Sequence, residues 1–137
     1  MDMNYLKSIN KLTYTLYAIE KRMNEGPLKG FEDKKAYGVL YCLKIELESA
    51  VNELETLSRP ALEGKLQENE YGKFELIDEN GQSVRTFSCG CYIEVYSDEE
   101  REWYCGRVEH TDGHYYFFCP ELEHPVLYTG MKARIRR

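Results

Sequence analysis

The sequence predicts an α+β protein in which an antiparallel helical hairpin, residues 1–60, is followed by a small β-barrel domain, residues 70–137. The first observation is that the spacing of apolar residues changes from a period near 3.6 to a period of 2 at about residue 70. The second is that Gly26-Pro27 and Pro60 stand where a helix must end, because proline lacks a backbone N–H. The third is a series of turn sequences confined to the second half.

The first half contains two apolar stripes with helical spacing. The first stripe ends at Gly26-Pro27 and consists of Leu6, Ile9, Leu12, Leu16, Ile19 and Met23. The second advances in alternating steps of four and three and consists of Ala36, Leu40, Leu43, Leu47, Ala50, Leu54 and Leu57. Because the connection, roughly Glu25 to Phe31, is short, the two helices should run antiparallel as a hairpin.

Two helices cannot enclose a core by themselves, because each buries only one stripe against the other. The predicted outer flank, with Tyr14, Tyr17, Val39 and Val51, still needs cover. That cover comes either from the C-terminal half or from a second copy of the chain, as a homodimer through the hairpin.

The second half predicts five short strands. Residues 61–70 are polar and are interpreted as a linker or a fraying helix end. The strands after them are Tyr71–Ile77, Cys91–Tyr96, Trp103–Glu109, Tyr115–Cys119 and Met131–Arg136. Asn80-Gly81 and Asp112-Gly113 suit turn positions that need a positive φ. Five short strands are too few for a two-sheet sandwich, so the pattern predicts a small, strongly bent barrel of the SH3 kind.

Alternation along these strands assigns their two faces. In the second strand Cys91, Ile93 and Val95 should point into the core, which places Glu94 on the surface. Aromatic and basic residues of the kind that form binding hot spots then point outward. The predicted partner-binding residues are Tyr92, Tyr96, Trp103, Arg107, Lys132, Arg134 and Arg136. For Trp103 two arrangements stay open: exposure on a binding face, or cover by the helical hairpin.

The cysteines and histidines do not predict a catalytic or metal site. Cys89, Cys91, Cys105 and Cys119 supply four thiols, which is the number that a tetrahedral zinc ion takes. However, a single residue separates the first two, and alternation points Cys91 inward and Cys105 outward. The histidines lie at or near turns, and the glycines form no phosphate-binding pattern. We therefore expect a non-enzymatic protein without a metal or cofactor.

Composition limits the remaining functions. The chain of 137 residues has a formal charge of −6, which argues against a DNA binder that acts simply by neutralising phosphates. It contains no apolar run long enough to span a membrane, and its N-terminus does not resemble a signal peptide. Five cysteines without a secretion signal favour a reducing, cytoplasmic location.

A group of short motifs carries a resemblance to a known family. The motifs are Ile93-Glu94-Val95, Trp103, Gly106-Arg107-Val108-Glu109, Tyr115-Tyr116 and Leu127-Tyr128-x-Gly130-Met131-x-Ala133-Arg134-Ile135. On these residues the segment from about 72 to 137 resembles a family of small SH3-like domains of unknown function. That family occurs in Gram-positive bacteria, largely on plasmids, conjugative transposons and prophages. The hairpin lies outside the resemblance.

The resemblance implies a protein of a mobile genetic element and leaves two hypotheses. In the first, the chain is a stoichiometric inhibitor of a host defence nuclease, comparable to an anti-CRISPR protein that binds the effector nuclease or its guide RNA. In the second, it is a nucleic-acid-associated accessory module for conjugation or replication, which binds single strands by stacking. An acidic protein would be steered towards the basic grooves of a nuclease, which favours the first hypothesis.

Overall fold

The computed structural model describes residues 2–137, which form two compact units, one ending at Pro60 and one spanning Ala61–Arg137. The first unit is the predicted antiparallel hairpin, with helices α1 (Met3–Met23) and α2 (Gly30–Ser58). Asp2 caps α1, because its carboxylate accepts a hydrogen bond of 2.7 Å from the backbone N–H of Asn4. No helix within residues 2–137 is long and apolar enough to cross a membrane.

The face that α2 turns towards α1 differs from the predicted stripe. Val51, expected on the outer flank, is buried, whereas Ala36 and Leu43 are exposed. Lys44 lies in the contact instead, where its Nζ is 3.8 Å from a carboxylate oxygen of Glu20. A stripe that repeats every 3.5 residues drifts by about 20° per heptad around a straight helix. The drift shows at the N-terminal part of the stripe, whereas Leu54 and Leu57 at its C-terminal end remain partly buried.

The second unit is an antiparallel sheet of seven strands, so the prediction of a closed five-stranded barrel is wrong. The strands are β1 (Ala61–Glu68), β2 (Phe74–Ile77), β3 (Ser83–Thr86), β4 (Tyr92–Ser97), β5 (Glu102–Thr111), β6 (His114–Phe118) and β7 (Lys132–Arg136). Their order in the sheet is β3-β2-β1-β7-β4-β5-β6. Because β3 and β6 do not pair with each other, the sheet is open.

The two strands that prediction missed are polar. β1 lies in the segment predicted to be a linker or a fraying helix end. It has only Leu62 and Leu66 as large apolar residues, with Gly64 between them on the inner face. It is nevertheless central, because it pairs with β2 on one side and β7 on the other. β3 is a short edge strand. The predicted strand from Tyr71 starts only at Phe74, because Asn69 organises a turn by accepting hydrogen bonds from the N–H groups of Tyr71 and Lys73.

The open sheet is strongly curved around one core. The rings of Phe74 on β2 and Tyr115 on β6 have centroids 6.5 Å apart, although four strands separate β2 from β6 in the sheet order. A flat sheet would hold these strands about 24 Å apart, at a spacing of about 4.8 Å per strand. The curved sheet encloses a core that includes Leu66, Leu76, Phe87, Ile93, Val95, Val108, Phe117, Leu127, Met131, Ala133 and Ile135.

Candidate partner-binding face

The side of β1, β7, β4 and β5 that points away from the core is called the outer face here. The strand register places Tyr92 opposite Arg107, Tyr96 opposite Trp103, and Glu94 opposite Arg134. Lys132 and Arg136 alternate with the buried Ala133 and Ile135 on β7 and therefore share the side of Arg134. The structure thus brings all seven predicted partner-binding residues onto one surface.

Glu94 lies at the centre of the outer face and is only 3% exposed, which contradicts its predicted surface position. Its Oε1 accepts hydrogen bonds from Nε and Nη2 of Arg134, at 3.2 and 3.0 Å. Arg136 donates from Nε to Oε2 at 2.6 Å and from Nη2 to Oε1 at 2.9 Å. Two guanidinium groups therefore cover one carboxylate, which alternation alone could not predict.

These contacts set the ionisation of the cluster. Burial by itself raises the pKa of Glu94, but the hydrogen bonds from Arg136 and Arg134 outweigh it, so that this pKa lies below its ordinary value. The hydrogen bonds between Arg136 and Glu94 raise the pKa of Arg136. Burial, reinforced by the charge of Glu94, raises the pKa of the Tyr92 hydroxyl well above its ordinary value. Glu94 is therefore ionised at neutral pH, and Tyr92 remains a neutral phenol.

Trp103 is partly buried, and side chains of its own sheet contact its ring. Its ring makes an edge contact with Tyr96, with centroids 5.3 Å apart. The guanidinium carbon of Arg134 lies 4.1 Å from its centroid, and Nζ of Lys132 lies 5.3 Å away. Lys132 also stands 4.8 Å above the ring of Tyr96. These cation–π contacts order the aromatic pair and leave it partly accessible.

A second stack extends the outer face onto β6 and was not predicted. The guanidinium carbon of Arg107 lies 4.1 Å from the ring centroid of Phe118, and the ring of His124 stacks on Phe118 with centroids 4.5 Å apart. His124 Nδ1 also accepts a hydrogen bond of 3.0 Å from the backbone N–H of Cys119. Glu123 and His124 both have positive φ, at 60° and 54°. Alternation along β6 could have found Phe118, but no sequence signal marks His124.

A groove of about 570 Å³ adjoins the outer face along β1. Its walls include Glu63, Gly64, Ile77, Asp78 and Lys132. Lys132 therefore belongs both to the groove and to the aromatic pair. Its Nζ is 3.8 Å from a carboxylate oxygen of Glu63, which holds it at the boundary between the two. The surface thus combines an aromatic patch with a neighbouring groove.

The cysteines do not assemble into a metal centre. Within residues 2–137, no three His, Cys, Asp or Glu side chains come together as a metal-binding group. Cys119 is buried and Cys105 exposed, while Cys91, predicted to be in the core, is only partly buried. Its Sγ lies 3.5 Å from both the backbone N and the Oγ of Ser88, and 3.9 Å from Nη2 of Arg85. Hydrogen-bond donors of Ser88 and Arg85 near this sulfur stabilise a thiolate.

Cys91 is expected to react as a thiolate at pH values below the ordinary pKa of a cysteine. The Ser88 hydroxyl lowers its pKa most, burial opposes this, and the Ser88 backbone N–H and Arg85 lower it further. In the wild type the pH midpoint of iodoacetamide alkylation at Cys91, followed by mass spectrometry, should lie below 9.0. Ser88→Ala and Arg85→Gln should each raise that midpoint. Unchanged midpoints in both variants would contradict the assignment.

A family match accounts for most of the sheet unit. Residues 64–135, more than half of the chain, match the model of DUF5348, a domain of unknown function. The chain belongs to the DUF5348 family. No curated protein and no solved structure shows significant similarity to it.

The DUF5348 match begins within β1 and ends within β7. Six of the seven predicted partner-binding residues lie inside the DUF5348 domain, and Arg136 follows one position after it. Glu94, Phe118 and His124 are also inside it, whereas the helical hairpin is outside. Most of the outer face of this chain therefore lies within the matched segment.

Proposed function

We propose that this protein is a non-enzymatic binding protein of a mobile genetic element that inhibits a host defence nuclease stoichiometrically, in the manner of an anti-CRISPR protein. The outer face is the proposed contact surface. The observation that carries the proposal is the cluster of Trp103, Tyr96, Lys132 and Arg134, in which contacts with each other and with the two cations order the partly buried rings. Protein interfaces concentrate their binding energy in such pre-ordered aromatic and arginine residues.

The ion pairs that the arginines form within the outer face favour a protein partner over nucleic acid. Arg134 and Arg136 both donate to Glu94, and Arg107 donates to Glu109 at 2.6 Å. A surface that neutralises phosphates needs cations that are not already paired with carboxylates. Here all three arginines are already paired with carboxylates, Arg134 and Arg136 sharing Glu94, so what they offer a partner is mainly the flat face of the guanidinium group.

The charge of the sheet unit supports a basic target. Residues 61–137 contain nine Lys and Arg residues against fifteen Asp and Glu residues, so the unit carries the whole formal charge of −6. A strongly negative domain associates faster with a positively charged surface. Nucleases present such grooves to their nucleic acids, and the proposed inhibitor would compete for them by protein–protein contact.

Lys132→Ala is expected to weaken partner binding about tenfold or more, because it removes the cation that orders the aromatic pair. The fold should survive, since Lys132 is exposed. The probe is a purified single-protein CRISPR effector with its guide RNA. Its DNA cleavage should be inhibited by the wild type with saturation at an equimolar ratio, and hardly by the variant. Tyr71→Ala, an exposed tyrosine beyond the outer face, is the control and should inhibit like the wild type.

A capture experiment separates the alternative, an accessory module that binds nucleic acid. Binding partners from a Gram-positive lysate should be retained after nuclease treatment if the partner is a protein. Retention of nucleic acid alone, with an affinity that falls steeply as salt rises, would support the accessory module instead. Equal inhibition by the wild type and Lys132→Ala would show that the outer face is not the contact surface.

A further inference from the structure

Two free thiols stand one residue apart in the loop between β3 and β4. They belong to Cys89, which is exposed, and Cys91, which is partly buried, with Gly90 between them. Neither is one of the predicted partner-binding residues, and neither takes part in a metal centre. Two thiols at this separation can be oxidised together, which a single thiol cannot be without a second molecule.

The loop that carries the two thiols is a closed β-turn. The backbone N–H of Cys91 donates a hydrogen bond of 3.2 Å to the carbonyl oxygen of Ser88, and Gly90 has a φ of 84°. A positive φ at the third residue is typical of a type II turn and favours glycine there. The turn is anchored to β5, because the N–H of Gly90 donates a hydrogen bond of 2.7 Å to the carbonyl oxygen of Val108.

The spacing of the two cysteines is compatible with a disulfide. Consecutive Cα atoms are about 3.8 Å apart, so Cα atoms with one residue between them are separated by at most about 7 Å, and by less in a turn. A disulfide joins Cα atoms about 4.4–6.8 Å apart. Because the side chain of Cys89 is exposed, little packing is lost when it turns towards Cys91.

The surroundings of the two sulfurs distinguish their roles. The Sγ of Cys91 has the backbone N and the Oγ of Ser88 at 3.5 Å and Nη2 of Arg85 at 3.9 Å. These groups favour a negative charge on the sulfur, and only the thiolate attacks a disulfide. Cys91 is therefore the attacking sulfur, and the exposed Cys89 is the sulfur that completes the bridge.

The other cysteines of the sheet unit are placed less favourably for this pairing. Cys105 is exposed on the outer face, opposite Glu94, whereas Cys91 packs against the core. Cys119 is buried, with 2% of its surface exposed, so a reagent in solvent does not reach it. Cys89 alone among them combines exposure with a tether of one residue to Cys91.

We propose that Cys89 and Cys91 form a redox-active dithiol, which a low-molecular-weight disulfide oxidises to a bridge within the chain. The thiolate of Cys91 attacks one sulfur of the reagent, a mixed disulfide forms, and one thiolate of the reagent leaves. Cys89 then loses its proton to solvent and attacks the sulfur of Cys91, which forms the bridge and releases the second thiolate of the reagent. The dithiol is oxidised by two electrons, and the reagent is reduced to two thiols.

The inference does not rest on the proposed function, because none of the predicted partner-binding residues takes part in the reaction. The bridge spans a tight turn and lies near the surface, and strained or exposed disulfides are the ones that thiols reduce readily. The oxidation should therefore be reversible, which makes the turn a site of reversible modification rather than a structural staple.

The proposal is tested on the full chain with oxidised glutathione at neutral pH, followed by an acid quench and peptide mass spectrometry. The peptide that holds Cys89 and Cys91 should lose two hydrogens in the wild type, and dithiothreitol should restore them. Cys89→Ser should stop at the mixed disulfide, with one glutathione on Cys91. Cys91→Ser should take up glutathione at Cys89 about tenfold more slowly, because the stabilised thiolate is missing. Cys42→Ser, which removes an exposed thiol of the hairpin, is the control and should form the bridge like the wild type.

Ser88→Ala keeps both thiols and removes the hydroxyl group that lies 3.5 Å from the Sγ of Cys91. It should form the same bridge about threefold or more slowly than the wild type, because less of Cys91 is thiolate. A bridge from Cys91 to a cysteine other than Cys89 would overturn the proposal. Equal rates of glutathione uptake in Cys89→Ser and Cys91→Ser, or an unchanged rate of bridge formation in Ser88→Ala, would show that Cys91 is not the attacking sulfur.

Discussion

Replacing Glu94 with glutamine is expected to destabilise the sheet unit by about 3 kcal/mol at neutral pH, the cost of breaking a buried ion pair. The side chain keeps its shape, but two partly buried guanidinium groups, Arg134 and Arg136, lose their shared counter-ion. Urea unfolding followed by the fluorescence of Trp103 measures the effect. Glu109→Gln is the matched control: its carboxylate also binds an arginine at 2.6 Å, but the pair is more exposed. We expect about 1 kcal/mol or less from the control.

The effect of Glu94→Gln should depend on pH in a defined direction. The folded pKa of Glu94 lies below its ordinary value of 4.5, so the carboxylate stabilises the fold fully above about pH 4.5. This stabilisation is lost as the pH falls through the lower, folded pKa. The difference in unfolding free energy between the wild type and Glu94→Gln should therefore be constant near neutrality and shrink in acid. A difference that stays constant below pH 4 would show that the charge of Glu94 is not its cause.

Gly106→Ala is expected to cost about 3 kcal/mol, because it overfills a point where two strands approach closely. A Cβ atom at this position would overlap the backbone carbonyl oxygen of Phe118 and lie 2.8 Å from Cε1 of Phe117. The carbonyl belongs to the backbone and the ring is buried, so neither can move without opening the curved sheet. Thermal unfolding should show a Tm lower by roughly 12–24 °C for a unit of this size.

Gly38→Ala adds the same methyl group but is expected to raise the stability of the protein. Gly38 lies inside α2, and a Cβ atom there would meet no other heavy atom within 4 Å. Alanine is favoured over glycine in a helix interior by about 1 kcal/mol, so this variant should be slightly more stable than the wild type. If Gly106→Ala unfolded at the same temperature as Gly38→Ala, the close approach of Phe117 and Phe118 to Gly106 would not be what excludes a larger residue there.

The sequence was sufficient to predict those helices and strands whose apolar residues recur with a clear period. The two helices and five of the seven strands follow from apolar periodicity, because each buries a stripe or a face. β1 and β3 were missed because they are mostly polar, and pairing rather than side-chain burial holds them in the sheet. A strand such as β1 is recognisable only once its neighbours β2 and β7 are known.

The candidate site, like the fold, is predicted by the sequence only in part. Alternation was enough to put Trp103, Arg107 and Arg134 on one side of their strands, since the period of a strand is two residues. It could not show that Glu94 would be buried, because that depends on β7 lying next to β4 and bringing two arginines over one carboxylate. Nor could it place His124 on Phe118, since a turn with two positive φ values brings the ring there.

By itself, then, the sequence determined the two helices, five of the seven strands and the two faces of those five, because these depend on neighbours along the chain. The tertiary structure decided the sheet order, the close approach of neighbouring strands at Gly64 and Gly106, and the pairing of Glu94 with Arg134 and Arg136. Each of these depends on contacts between residues distant in sequence, with Glu94 and Arg134 forty positions apart. Local periodicity carries no information about which strands become neighbours across such a distance.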